Sequence, residues 1–78
     1  MNETNNSEVA RLLENIRLSY ESAYTAMHGP AISATHEFIS KKLENIQSSH
    51  VQLQTIVGEH EAMKLVAETL DTANEAKQ

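Results

Sequence analysis

Gly29-Pro30 restricts the fold more than any other feature, because it parts two long stretches of helix-period sequence. Proline lacks an N–H and pushes the residue before it out of the helical region, and glycine ends a helix with a positive φ at no Cβ penalty. Upstream, Val9, Leu12, Leu13, Ile16, Tyr20, Ala23, Tyr24 and Met27 follow spacings of three, one, three, four, three, one and three, which draw a single stripe on an α-helix. Asn5, Asn6 and Ser7 are good N-cap residues, Glu8 suits the positive end of the helix dipole, and Glu14 with Arg17 supports the outer face at i,i+3. The spacing predicts a first helix over 7–27.

Downstream, Ile32, His36, Ile39, Leu43, Ile46, His50, Leu53 and Val57 alternate by four and three, which is a heptad seam. It predicts a second helix over 33–57, capped by Ser33 or Thr35 or opened by Pro30 itself. Such a seam favours the shallow crossings of coiled coils and four-helix bundles. Gly58 interrupts it. At about 100° per residue, the stripe holding Ile39 and Leu53 lies about 140° from the one formed by Met63, Val66, Leu70 and Ala73. A straight rod would show two unrelated apolar faces, so a break is expected at Gly58, with Glu59 and Glu61 opening a third helix over 59–74.

The expected fold class is all-α: an antiparallel helical hairpin plus a shorter third helix, packed as a bundle in one small domain over 1–78. Residues 1–6 are expected to be disordered and 75–78 frayed. Leu12, Leu13, Ile16, Tyr20, Ile39, Leu43, Ile46 and Leu53 are the expected core, and Ile39, Leu43, Ile46, His50, Leu53 and Val57 the core or interface seam. A chain of 78 residues only narrowly offsets the entropy of ordering its backbone, which favours help from self-association. Two hairpins paired as a four-helix bundle and a monomeric three-helix bundle both satisfy the pattern.

Charge and composition restrict the function classes. The net charge of -5 comes from 11 acids against 6 bases, and the bases are scattered apart from Lys41-Lys42, which have Glu37 and Glu44 within a turn. Nucleic-acid binders gather a basic face to displace counterions, and polybasic membrane clamps need a denser cluster, so neither partner is expected. Cysteine is absent, which removes disulfides and thiolate metal sites and is compatible with a cytoplasmic setting. The polar, acidic start does not resemble a signal peptide, and no stretch has the length to span a bilayer.

No spacing pairs a nucleophile with a base, and Ser19, Ser22, Ser33, Ser40, Ser48 and Ser49 look like ordinary surface positions. His36 and His50 lie on the seam two heptads apart, a helical rise of about 21 Å, too far to share an ion. Their expected role is to fix register as partly buried polar groups, with protonation loosening the packing. Tyr20, Tyr24, Met27, His36 and Phe38 are candidates for a small pocket near the hairpin turn. At that turn, Met27-His28-Gly29 followed by Ala31 resembles the Trp-x-Gly turn of secreted helical hairpins of the WXG type. Met27 stands in place of the tryptophan and Pro30 follows the glycine, so the chain is not assigned to that family.

The expected function is therefore a non-enzymatic helical interaction or assembly module, self-associating, with no cofactor or metal. The alternative is a small bundle that binds a metal, haem or apolar ligand through His and Tyr side chains. An acidic regulator that occupies a basic site on another protein also fits the charge.

Overall fold

The computed structural model describes residues 3–28 and 36–76, which form three helices: α1 Glu3–His28, α2 His36–Val57 and α3 Glu59–Ala76. Gly29, Pro30, Ile32 and the expected caps Ser33 and Thr35 lie outside the described residues. Helix α1 starts four residues ahead of the expected Ser7 cap, so Thr4, Asn5, Asn6 and Ser7 are helical. Cap preference is a weak prior that a longer helix overrides. His28 in the last turn of α1 complements the negative end of the dipole, as Glu37 in α2 and Glu59 and Glu61 in α3 complement the positive ends.

Gly58 joins α2 to α3 by itself. Its N–H donates to the Gln54 carbonyl at 3.0 Å, which closes α2, and its own carbonyl accepts from the Ala62 N–H at 3.0 Å, which opens α3. The residue thus serves as the left-handed C-terminal cap of one helix and the N-cap of the next. Its φ of 93° is the turn itself, in the region where only glycine sits without strain. The break expected at this position is present.

Helix direction follows from which residues meet. Ala10, Leu13 and Arg17 of α1 share a groove with Glu68, Thr69 and Thr72 of α3, and Tyr20 bonds to Asn74, so α3 runs parallel to α1. The reversal at Gly58 makes α2 antiparallel to both. Together they form an all-α, three-helix bundle.

The buried positions define a seam on each helix. On α1 these are Leu12, Ile16, Ser19 and Ala23, spaced four, three and four. On α2, Ser49 and Leu53 are buried, and Ile46 and Ile56 pack against the core. On α3, Ala62, Val66 and Ala73 are buried. Leu12, Ile16 and Leu53 are the largest side chains fully removed from solvent.

Three expectations need correction. Leu43 is 54% exposed, so it is not in the core of the chain, and Tyr20 is half-buried. Met63 is 58% exposed, while the neighbouring Ala62 is fully buried. Ser19 and Ser49, expected on the surface, are 8% and 5% exposed. One feature links them: small residues face inward, and α2 is turned so that Ser49 and Ile56, rather than Leu43, accompany Ile46 and Leu53. On α3 the same preference places Ala62, not Met63, in the interior just after the one-residue corner.

Candidate interaction face

Each pair of helices leaves a valley on the outside of the bundle, and the three valleys differ in chemistry. The α1–α2 valley is lined by Asn15, Ser19, Asn45, Ser48, Ser49 and Gln52, an open groove of about 340 Å³ walled by amides and hydroxyls. The α1–α3 valley, about 290 Å³, has Ala10 and Leu13 at its floor and Glu14, Arg17 and Glu68 along its edges. Both are shallow.

The third valley follows by phase. Residues 45, 48, 49 and 52 turn one side of α2 toward the α1–α2 valley, and 68, 69 and 72 turn one side of α3 toward the α1–α3 valley. At about 100° per residue, the opposite sides carry His36, Leu43, Gln47, His50 and Gln54 on α2 and Met63, Ala67, Leu70 and Asn74 on α3, with Val51 of α2 and Asp71 of α3 at the outer edges. Leu43, Val51 and Met63 are 54%, 46% and 58% exposed. Leu43 and Met63 stand at the centre of this side, while Val51, Glu44, Lys64 and Asp71 fall along its outer edges.

The outer surface of α1 carries ion pairs beside the exposed side chains of Leu18 and Met27. Arg11 pairs with Glu8 at 2.5 Å, and Arg17 bridges Glu14 and Glu21, the latter at 2.9 Å. Hydrogen bonds from Arg11 and Arg17 hold the Glu8 and Glu14 carboxyls below the usual carboxylate range, and both guanidiniums are held above theirs. Such pairs are well hydrated and keep a surface in water.

The expected seam residues divide between these environments. Leu53 is buried, Ile46 and Val57 pack half-buried against the core, Ile39 is half-buried, and Leu43 is exposed. His50 is half-buried, and its Nε2 is enclosed without a hydrogen-bond partner among the described residues. His36 and His60 are exposed, and His28 stacks on Tyr24 with ring centroids 4.2 Å apart. Among the described residues, no three His, Asp or Glu side chains come together in a way that could hold a metal ion.

The aromatic residues expected to gather near the turn form a ladder along α1 instead. Tyr20 and Tyr24 lie 6.1 Å apart, Tyr24 continues to His28, and Met27 is exposed. Phe38, on α2, lies under the Lys42 ammonium at 5.2 Å. The two grooves described above are lined by other residues. No described helix is long and apolar enough to cross a membrane. Comparison with protein-family models, curated proteins and solved structures gives no match.

Reading the sequence for its heptad found the apolar columns but not their division into an inner and an outer set. The buried serines carried the missing signal. Ser19 and Ser49 sit in register with Leu12, Ile16, Leu53 and Ile56 at heptad spacing, which marks the inner column even though serine itself is polar.

Proposed function

We propose that this protein is a non-enzymatic helical interaction module that works by helix-on-helix recognition and associates with itself. The observation that carries this reading is the α2–α3 face, where Leu43 and Met63 stand in solvent more than half exposed, with Val51 at its edge. Depletion of charge with apolar and Met side chains at the centre marks the core of protein interfaces. A surface with no partner gains nothing from keeping these side chains in water.

The size of the core supports the same reading. Ala23, Ala62 and Ala73 make up much of the buried apolar set, so the interior removes little large apolar surface from water. A module of this size gains from covering a second apolar face. The alternative of a metal, haem or apolar ligand draws no support from the histidines, which lie at separate places in the bundle, or from the open grooves.

Light scattering over a dilution series tests the proposal. The expected mass is a multiple of 8.7 kDa at high concentration, and Leu43→Glu is expected to return it to one chain while far-UV circular dichroism stays unchanged. A wild-type protein that remains a single chain at every concentration would sink self-association.

A further inference from the structure

We propose that the α1–α3 valley is a docking groove for a basic amphipathic helix of a different protein, with apolar residues at heptad spacing on its floor and Lys or Arg beside the glutamates of its α3 edge. This goes beyond self-association, which uses the α2–α3 face. The valley, about 290 Å³, is shallow and open, a shape that suits a helix laid into it better than an enclosed small molecule. Ala10 and Leu13 of α1 form its floor, with Thr69 and Thr72 of α3 opposite. At about 100° per residue, the half-buried Leu65 falls between those two threonines and extends the apolar strip.

The edges of the valley set the chemistry of the occupant. On α3, Glu61, Glu68 and Glu75 are exposed and recur at heptad spacing, with Glu68 lining the valley and the other two drifting about 20° per heptad to either side of it. Among the described residues, none of the three has an ion-pair partner. On α1, Glu14 and Glu21 stand along the opposite edge. The Tyr20–Asn74 bond joins positions 54 apart, which sets Glu14 at about the height of Glu68 and Glu21 at about that of Glu75. Arg17 donates to Glu14 at 3.1 Å and to Glu21 at 2.9 Å, so the α1 edge is matched within itself and the α3 edge is not. Glutamates that flank an apolar strip at heptad spacing occupy the positions where paired helices exchange the salt bridges that set partner choice. Pairs at such a rim stay in water, so they select the partner and speed its approach while the apolar floor holds it.

A second copy of this chain does not supply that helix. Its bases are Arg11, Arg17, Lys41, Lys42, Lys64 and Lys77, no two of which are seven residues apart, and two chains of net charge -5 repel. Nucleic acid and anionic membrane are repelled by the same carboxylates. A cationic helix from another protein meets both the apolar floor and the unmatched edge.

Fluorescence anisotropy with two labelled three-heptad peptides tests the groove, one with leucines on its seam flanked by lysines and one with glutamates in place of the lysines. The lysine peptide is expected to bind the wild-type chain and the glutamate peptide not. Glu61→Lys with Glu68→Lys is expected to weaken the lysine peptide by about tenfold or more and to gain binding of the glutamate peptide. Glu37→Lys with Glu44→Lys changes the net charge equally on α2 and is expected to lose much less. Should the first double variant fail to fold, Glu68→Gln is expected to weaken the lysine peptide where Glu44→Gln does not. A wild-type chain that ignores the lysine peptide, or equal losses from substitutions on α3 and α2, overturns the groove. Neither result bears on self-association, which is read from mass in the absence of peptide.

Discussion

Tyr20 on α1 donates its hydroxyl to Oδ1 of Asn74 on α3 across 3.0 Å, joining residues 54 positions apart in the chain. The ring packs half-buried while the hydroxyl reaches the exposed end of α3, the usual division of labour for a tyrosine at the rim of a core. It is a side-chain tie between the last turns of α3 and the first helix. A neutral hydrogen bond of this kind contributes about 0.5–1.5 kcal/mol, and exposure of Asn74 places it at the lower end. Tyr20→Phe is therefore expected to lower stability by about 0.5–1 kcal/mol. Hydrogen exchange should quicken at the end of α3 and not in α2. A double-mutant cycle with Asn74→Ala checks the assignment: if the two losses simply add, the hydroxyl and the amide are not coupled.

Gly58 carries the second prediction. A Cβ there would meet nothing within 4 Å, so crowding by neighbours does not require glycine. The φ of 93° does. An L-residue in the left-handed region costs about 1–2 kcal/mol, so Gly58→Ala is expected to destabilise the bundle by that amount. A D-alanine at the same position prefers positive φ and restricts the unfolded chain, and should stabilise by about 0.5–1 kcal/mol. Urea titration of recombinant and semisynthetic proteins measures both. Equal losses from the two enantiomers would mean that the side chain, not the backbone, is the problem.

Element positions were legible in the sequence because they depend on backbone chemistry that single residues dictate. Gly58 could be placed as a break from the phase jump between Leu53 and Val66, and the stripe that begins with Val9 could only be a helix. Rotation of each helix was less legible. Ile39, Ile46 and Leu53 belong equally to a seam completed by Leu43 and His50 and to one completed by Ser49 and Ile56, and hydrophobicity alone favours the leucine. Burial decides the matter: Ser19 and Ser49 are inside and Leu43 is outside, and residues spaced along the chain do not state which side of an apolar column will face inward. Leu43 was legible as an apolar seam position and was expected in the core, but its position on the outside depends on that rotation.

His50 shows the cost of this arrangement. Its Nε2 is closed off from solvent without a hydrogen-bond partner among the described residues. An enclosed polar atom left unpaired costs about 1–3 kcal/mol relative to a satisfied one. His50→Leu removes the orphan group with an apolar side chain of similar size and is expected to raise stability by about 1 kcal/mol. His36→Leu, at an exposed position on the same side of α2, is expected to stay within about 0.5 kcal/mol of wild type. Chemical denaturation at neutral pH distinguishes the two, and a clear loss of stability in His50→Leu would show that the imidazole holds a bond the bundle depends on.

The ion pairs of α1 give a pH dependence whose sign can be worked out. Hydrogen bonding to Arg11 and Arg17 holds Glu8 and Glu14 below their ordinary value of 4.5 in the folded chain, so the folded protein binds fewer protons than the unfolded chain as that value is approached from above. Their contribution is therefore complete above about pH 4.5 and is lost as the pH falls through the lowered folded values. The raised guanidiniums add nothing to this window, because they stay charged throughout it. Melting temperature measured from pH 7 to pH 2 should fall less steeply in a Glu8→Gln, Glu14→Gln double variant than in wild type, with the two curves converging at the acid end. Since both pairs are exposed, 1 M salt at pH 7 should also narrow the gap, because the Debye length there is about 3 Å. Curves that stay parallel from neutral to acid would show that the arginines do not act on these two carboxylates in the folded chain.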